Sequence, residues 1–364
     1  MPLSVPETPA AWGEPLFCAQ FKMEPADFQV SEVLEIEFDG QGEHLYLHIE
    51  KTSVNTDEIV DLLAKSFQVD SKAIGFAGMK DRHAVTTQWF SVATPLNEDQ
   101  FIALLPEFCT GGKSARLLEV HRHSRKLRRG AHSANKFVVT LKNIEPLLDD
   151  SSSVFRSAIN NRIASIGQFG FPNYIGPQRF GFGGQNFSRA RQWFRQPKKR
   201  ASRQQRSLWL SAARSAVFNQ VCAQRVRSDN WKQLLDGEPA VLDGSKSFFD
   251  SGTSTKSELE SRIAAFDIHT SAPWWGRGAT PAKSDCLEFE NAALSEFAEV
   301  LTGLEKAGLA QERRALRARA LELQARWVND STLELSFLLS PGVFATTLLC
   351  ELGVCREPDR RQST

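Results

Sequence analysis

Alternation of apolar and polar residues dominates the first third of the chain. ADFQVSEV (26–33) and HLYLHIE (44–50) repeat with a period of two, so Leu45, Leu47 and Ile49 share one buried face of an expected strand. A helix is predicted next. Asn55 suits its cap, Glu58 stands three residues on to complete a capping box, and Ile59, Leu62, Leu63 and Phe67 form its apolar stripe. GFAGMKDRHAVTTQWFSV (75–92) reads as a glycine-bearing loop that runs into a strand from Gln88 to Val92. NKFVVTLKN (135–143) alternates again, with Phe137, Val139 and Leu141 on one side.

From Ser151 the spacing turns helical. SSSVFRSAINNRIASI opens with serine caps, and GFPNYIGPQRFGFGG (170–184) then breaks all regularity and marks a boundary. A long helix is expected over 206–227, a loop-rich part from Asp236 to Lys283, and a further helical stretch from Leu287 to Arg326. Alternation returns in STLELSFLL (331–339), with Leu333, Leu335, Phe337 and Leu339 inward, and a short helix begins near Phe344 after the Pro341-Gly342 break. Strands at both ends of a helical middle predict an α+β domain interrupted by an insertion, the last strand completing the sheet begun by the first third.

Composition narrows the picture. With 41% apolar and 24% charged residues the chain reads as globular, and no run approaches the roughly 18 apolar residues of a membrane span. The N-terminus lacks the basic start and apolar core of a signal peptide, so a cytoplasmic location is expected. The six cysteines form no Cys-x-x-Cys pair, and His44 and His48 lie in an alternating strand without a nearby carboxylate or thiol, so neither a disulfide framework nor a metal site is expected. Net charge is only +1, but the cations are clustered. HRHSRKLRRG (121–130) carries Arg122, Arg125, Lys126, Arg128 and Arg129 with no acid, and 189–206 holds Arg191, Arg195, Lys198, Lys199, Arg200 and Arg203, also with none. Such runs are commonly solvated faces; with Trp193, Phe194 and Trp209 interleaved they also suit a phosphate backbone.

The chemistry centres on Asp81. It stands between Lys80 and Arg82 in a loop freed by Gly75 and Gly78, and nearby cations favour the carboxylate form. An ionised carboxylate amid positive charge suits nucleophilic or general-base work on a nucleic acid; taken alone, the triplet reads more readily as a surface charge cluster in a turn.

Several segments together resolve that choice. FAGMKDRHAVTTQ (76–88) resembles the signature of the TruD family of pseudouridine synthases, G-x-K-D-[KR]-x-A-x-T-x-Q, at every fixed position. FKMEPADFQVSE (21–32), NKFVVTL, PNYIGPQRFG (172–181), RSLWLSAARSAVFNQ (206–220) and SPGVFATTLLCEL (340–352) resemble the family's other motifs in order, so the likeness spans about Phe21 to Leu352. It implies a mixed, mainly antiparallel sheet with flanking helices, divided as a catalytic domain over 1–169 and 319–364 and a largely helical inserted domain over 170–318. It implies Asp81 as the catalytic aspartate, Phe28, Asn135 and Phe344 as holders of the target nucleotide, and Phe137 where most other pseudouridine synthases have tyrosine. Lys22 is a candidate basic partner or phosphate contact. The closing motif commonly ends Leu-Arg-Glu; here Cys350 precedes Glu351, so a contact made by that arginine is not expected.

The implied reaction breaks the N1–C1′ bond of a uridine in transfer RNA, rotates the uracil and rejoins it through C5, with no cofactor. By the same resemblance the target is uridine 13 of the D arm. Asp81 either attacks C1′ or removes the 2′ proton. Extruding a base costs a few kcal/mol, and aromatic faces offset roughly 1 to 3 kcal/mol per stacked base, which suits Phe28, Phe137 and Phe344 to pocket walls; Asn135 offers a donor and an acceptor to the uracil edge. A non-catalytic RNA clamp and a metal-dependent nuclease are the alternatives, the latter needing clustered carboxylates. A monomer is expected.

Overall fold

The computed structural model describes residues 3–104, 108–147, 152–196 and 200–358, in two compact units. The sheet unit comprises Leu16–Ile163, Ala320–Gly342 and Gly353–Thr364; the helical unit comprises Met1–Pro15, Ala164–Arg319 and Val343–Leu352.

Eleven strands form the sheet unit's mixed sheet. They are β1 (Phe17–Gln20), β2 (Phe28–Val33), β3 (His44–Thr52), β4 (Gly75–Phe76), β5 (Val85–Ala93), β6 (Phe108–Thr110), β7 (Lys113–His123), β8 (Ala134–Pro146), β9 (Leu321–Asn329), β10 (Thr332–Leu339) and β11 (Val354–Arg356). The main path runs β9-β10-β8-β2-β5-β3-β7-β6, with β4 on β5 and β1 joining β8 to β11. Among the described residues only the β2–β5 and β1–β11 pairs of this sheet are parallel. The expected final strand does complete the sheet: Leu333, Leu335, Phe337 and Leu339 pair with Leu141, Val139, Phe137 and Asn135.

Helix α1 (Thr56–Phe67) starts at the predicted box, where the Asn55 N–H donates to Glu58 Oε1 at 3.1 Å. Its Ile59 and Leu63 pack on Leu45, Leu47 and Ile49 of β3 and on Phe90 and Val92 of β5. The opposite face of β3 is covered as well. Tyr46 is buried beside Phe38, Trp89 and His123, so this central strand has two buried faces where alternation predicted one.

In the helical unit, α4 (Gln185–Arg195) and α8 (Ala298–Lys306) pack on α5 (Arg203–Arg227), whose Ala212, Ala213, Ala216, Val217 and Phe218 are fully buried. Asn219 of α5 clasps the PNYIGPQRFG segment: its Oδ1 accepts from the Ile175 N–H at 2.8 Å and its Nδ2 donates to Ile175 O at 3.0 Å. Residues of two segments expected with the catalytic domain pack here instead. Glu351 is buried and its carboxylate accepts from the Ala11 and Trp12 N–H groups, at 2.8 and 3.1 Å.

The helical stretch expected over Leu287–Arg326 is corrected. Helix persists in Ser284–Ala293 and α8, ends before Gly308 at φ +80°, and gives way to strands Glu312–Ala315, Arg317–Ala318 and β9. The inward positions of that segment include arginines. Arg313 is buried against Glu290 at 2.7 Å, and Arg317 is buried over the Phe266 ring, so a reading that counts arginine as polar misses the alternation. The loop-rich part likewise contains a three-stranded sheet and a helix, Lys256–Ala264.

Gly303 of α8 sets the approach of α8 to α4: a Cβ there would stand 2.3 Å from Phe194 Cγ. Alanine gains about 1 kcal/mol of helix propensity over glycine, whereas overpacking costs about 1–3 kcal/mol, and the inner end of a ring cannot swing aside. Gly303→Ala is therefore expected to lower stability by about 1 kcal/mol, read by urea unfolding of the variant against the parent protein.

Candidate active site

One sheet face changes character along its length. On β3 the inward series Leu45, Leu47, Ile49 ends in Lys51; on β5 it runs through Gln88 to Thr86; on β2 it is Phe28, Val30, Glu32. Val30 pairs with Thr86, and Glu32 pairs with Asn135 of β8, so the buried polar groups Glu32, Lys51, Thr86 and Gln88 are gathered beside the apolar core.

The loop between β4 and β5 lies on this polar end and carries Asp81. Lys80 turns inward, its Nζ 2.8 Å from Glu32 Oε2 and donating to Asn135 Oδ1 at 2.6 Å. Its N–H donates to Thr56 Oγ1 at 3.0 Å, and Gln88, which accepts from Thr56 Oγ1 at 3.1 Å, donates through Nε2 to Gly78 O. Gly75 admits the loop because a Cβ there would meet Ser91 Oγ at 2.3 Å and Leu127 O at 2.5 Å; at Gly78 it would meet His132 at an ordinary 3.5 Å, so only Gly75 is sterically required.

Asp81 is thereby held at the surface with its side chain 32% exposed. Its Oδ1 accepts from the His83 N–H at 3.0 Å, and its Oδ2 pairs with Lys22 Nζ. The expected cations were the sequence neighbours Lys80 and Arg82, with Lys22 a candidate basic partner by the family resemblance; Lys80 serves Glu32 instead, Arg82 is exposed, and the ion pair is made by Lys22, whose backbone is left-handed at φ +56° and whose side chain is buried. The Lys22 ammonium also lies 4.3 Å from the Phe28 ring centroid and 3.2 Å from Glu357 Oε1. Lys51 Nζ, beneath the loop, donates to Val54 O at 2.7 Å and reaches Asp81 O at 3.5 Å; burial pushes its pKa down to about 8, against the raising influence of Asp81.

Of the residues expected in the site, Asp81, Lys22, Phe28, Asn135 and Phe137 belong to the sheet unit. Phe28 and Phe137 are buried and meet edge to face at 5.9 Å, and Phe137 stacks on Phe337 at 5.4 Å. Phe344 belongs to the helical unit, where it precedes helix Ala345–Cys350 and packs beside Gly176. Reasoning from the sequence missed Glu32, Lys51 and Glu357. For the first two the signal was present: each is a charge at an inward position of an alternating strand.

The basic residues divide. The Arg122 guanidinium is committed to the carbonyls of Gly42, Thr94 and Leu96, which makes it a structural clamp. Arg125 and Arg128 are exposed, Lys126 donates to Lys72 O at 2.5 Å, and Arg129 lies 3.6 Å over the Phe76 ring. Lys126, Arg128 and Arg129 line a 610 Å³ depression with Lys72, Phe76, Asp57 and Asp61. Lys198 and Lys199 lie outside the described residues, and Arg200 is exposed. The second block is acid-free only in sequence, since Glu299 of α8 pairs with Arg195 at 2.7 Å. Among the described residues no group of three or more His, Cys, Asp or Glu could hold a metal ion, and no helix is long and apolar enough to cross a membrane.

Comparison with known proteins identifies the family and the fold. A family model described as tRNA pseudouridine synthase D (TruD) matches residues 11–187 and 185–352. The tRNA pseudouridine synthase D of Methylococcus capsulatus is 41% identical over 346 residues, 95% of this chain and 94% of its own, and that of Xanthomonas campestris pv. campestris (strain B100) is 42% identical over 362 residues, 96% and 95%. A crystal structure of the putative tRNA pseudouridine synthase D from Methanosarcina mazei shares the fold with a TM-score of 0.68 at 18% identity, covering 97% of this chain and 96% of that one. The family match and the two relatives, covering nearly the whole chain, mark an isomerase of the pseudouridine synthase class. Within that class, the chain belongs to the TruD family of tRNA pseudouridine synthases.

The Lys80–Glu32 pair has side chains only 5% and 0% exposed, so removing one partner strands a buried charge. Lys80→Met is expected to cost about 3–5 kcal/mol, most of it recovered when Glu32→Gln is added, because the protonatable orphan is then gone. Denaturant unfolding of the single and double variants measures this, and additive losses would contradict the coupling.

Proposed function

We propose that this tRNA pseudouridine synthase acts on uridine 13 of the D arm, with Asp81 as its catalytic carboxylate. The observation that carries the assignment of Asp81 is its geometry: its main chain is tied to buried groups, while its carboxylate is fixed by Lys22 and the His83 N–H yet remains accessible. A carboxylate fixed in this way meets C1′ or the 2′ hydrogen of a bound nucleotide without losing orientation as it reacts.

In the net reaction the N1–C1′ bond breaks, a C5–C1′ bond forms, C5 loses a proton and N1 gains one. Atoms and electrons balance within the nucleotide, so no redox partner is called for. The neighbours of Asp81 supply the setting. Phe28 and Phe137 form an apolar floor, and Asn135, fixed through Lys80, presents its amide to the uracil edge. Arg125, Lys126, Arg128, Arg129 and Arg200, with Lys198 and Lys199, take phosphates of the RNA backbone, an interaction that weakens with salt. Arg122 is set apart from them, since three of its hydrogen bonds hold it to main-chain carbonyls.

Asp81→Asn preserves size and hydrogen bonding but removes the charge. It is expected to reduce pseudouridine formation by about a thousandfold or more while transfer RNA affinity stays within about twofold. Binding with full activity in this variant would refute the role of Asp81. EDTA is expected to leave the parent enzyme's rate unchanged. Mapping pseudouridine in cellular RNA with and without the protein tests the assignment of uridine 13, and a change at another position would replace it.

A further inference from the structure

The groups beneath the loop include one the chemistry above does not use. Lys51 is 1% exposed and, among the described residues, takes part in no ion pair within 4.0 Å. A leucine at this inward position would simply continue the stripe Leu45, Leu47, Ile49, whereas an ammonium must be stripped of water to fit.

What the ammonium provides is directional. The turn 52–56 and the loop 78–84 are laced together: the Ser53 N–H donates to Ala84 O at 3.2 Å, the Lys80 N–H donates to Thr56 Oγ1 at 3.0 Å, and Lys51 Nζ reaches Val54 O in the turn and Asp81 O in the loop. Ser53 takes a left-handed φ of +59° in this turn. Lys51 is therefore the side chain of this lacing that bears on the main-chain carbonyl of Asp81 itself.

We propose that Lys51 is a positioning residue for the pseudouridylation reaction, its buried ammonium tying the turn after β3 to the Asp81 peptide and holding the catalytic carboxylate in register. This rests on the role proposed for Asp81. The charged groups that face the ammonium are Asp81 and Lys80 from the loop and Glu58 from α1. Glu58 is itself paired with Lys113 of β7 at 2.6 Å and feels Arg82. The strand neighbours Thr86 on β5 and Ala115 on β7 bring no charge.

The sign of the pH effect follows. Burial pushes the Lys51 pKa down to about 8, so the charge that holds the loop is present below that pH and is lost as pH rises through it. A lysine at its ordinary value would keep its charge throughout this range.

The test is the single-turnover rate on unmodified transfer RNA transcripts, measured from about pH 6.5 to about pH 9.5 together with transcript affinity. The parent enzyme is expected to show an alkaline limb near pH 8. Lys51→Met is expected to bind the transcripts within about twofold of the parent, to react about 10- to 100-fold more slowly at neutral pH, and to lack the limb. Lys51→Arg, which retains its charge across the range, is expected to be flat in pH and closer to the parent in rate. A parent profile without a fall by about pH 9, a limb that persists in either variant, or a Lys51→Met rate within about twofold of the parent overturns the proposal. If Lys51→Met does not fold, the parent profile and Lys51→Arg decide. A parent enzyme active on the transcripts with unchanged Lys51 variants defeats only this inference; loss of activity absent from Asp81→Asn defeats the reading beneath it.

Discussion

The site depends on a small set of charges placed on the wrong side of their strands. Glu32 and Lys51 occupy inward positions of β2 and β3 where alternation calls for apolar residues, and Lys80 descends from the loop to meet the first of them. Each burial removes a charge from water, and the desolvation is offset only because partners converge: Lys80 has both Glu32 and Asn135, and Lys51 has main-chain carbonyls. A loop anchored through such groups resists sliding, since any displacement breaks several buried polar contacts at once.

This explains why the Asp81 carboxylate sits on a loop and is still firmly set. Asp81 follows immediately on the anchored Lys80, its carbonyl faces Lys51, and its two oxygens have separate donors, one main-chain and one from Lys22. Lys22 is in turn fixed by a left-handed backbone and by the Phe28 ring beneath its ammonium. Aromatic residues near the carboxylate thus have a structural use before any base arrives: Phe28 supports the cation, and Phe137 joins it to Phe337 across the sheet.

Much of this was legible in the sequence, and the illegible remainder has physical causes. Strands β2, β3, β5, β8 and β10 and helix α1 were readable because their apolar periods are clean and α1 carries its own cap. The sheet strand that returns after the insertion was readable for the same reason. Glu312–Ala318 was not, because buried Arg313 and Arg317 hide the period behind charge. Asp81, Lys22, Phe28, Asn135 and Phe137 stood out through the motif resemblance, not through local pattern, since Lys22 is 59 residues from the carboxylate it pairs with. Neighbours in sequence are poor guides to neighbours in charge.

The basic blocks make the same point from the opposite direction. Both are acid-free in sequence and suit a phosphate backbone as well as a solvated face, yet folding assigns their members different tasks. Arg122 closes two loops through three carbonyls, and Arg195 is neutralised by an acid some hundred residues later, Glu299. An arginine whose donors are filled offers a polyanion little, because the competing bonds must first be broken and their carbonyls left unsatisfied. Arg125 and Arg128, exposed cations of the same block, follow the strand end that Arg122 secures, so the clamp gives them a fixed base to project from. Counting lysines and arginines along a chain therefore overstates its affinity for RNA, and the useful count is of those whose hydrogen bonds the fold has not already claimed.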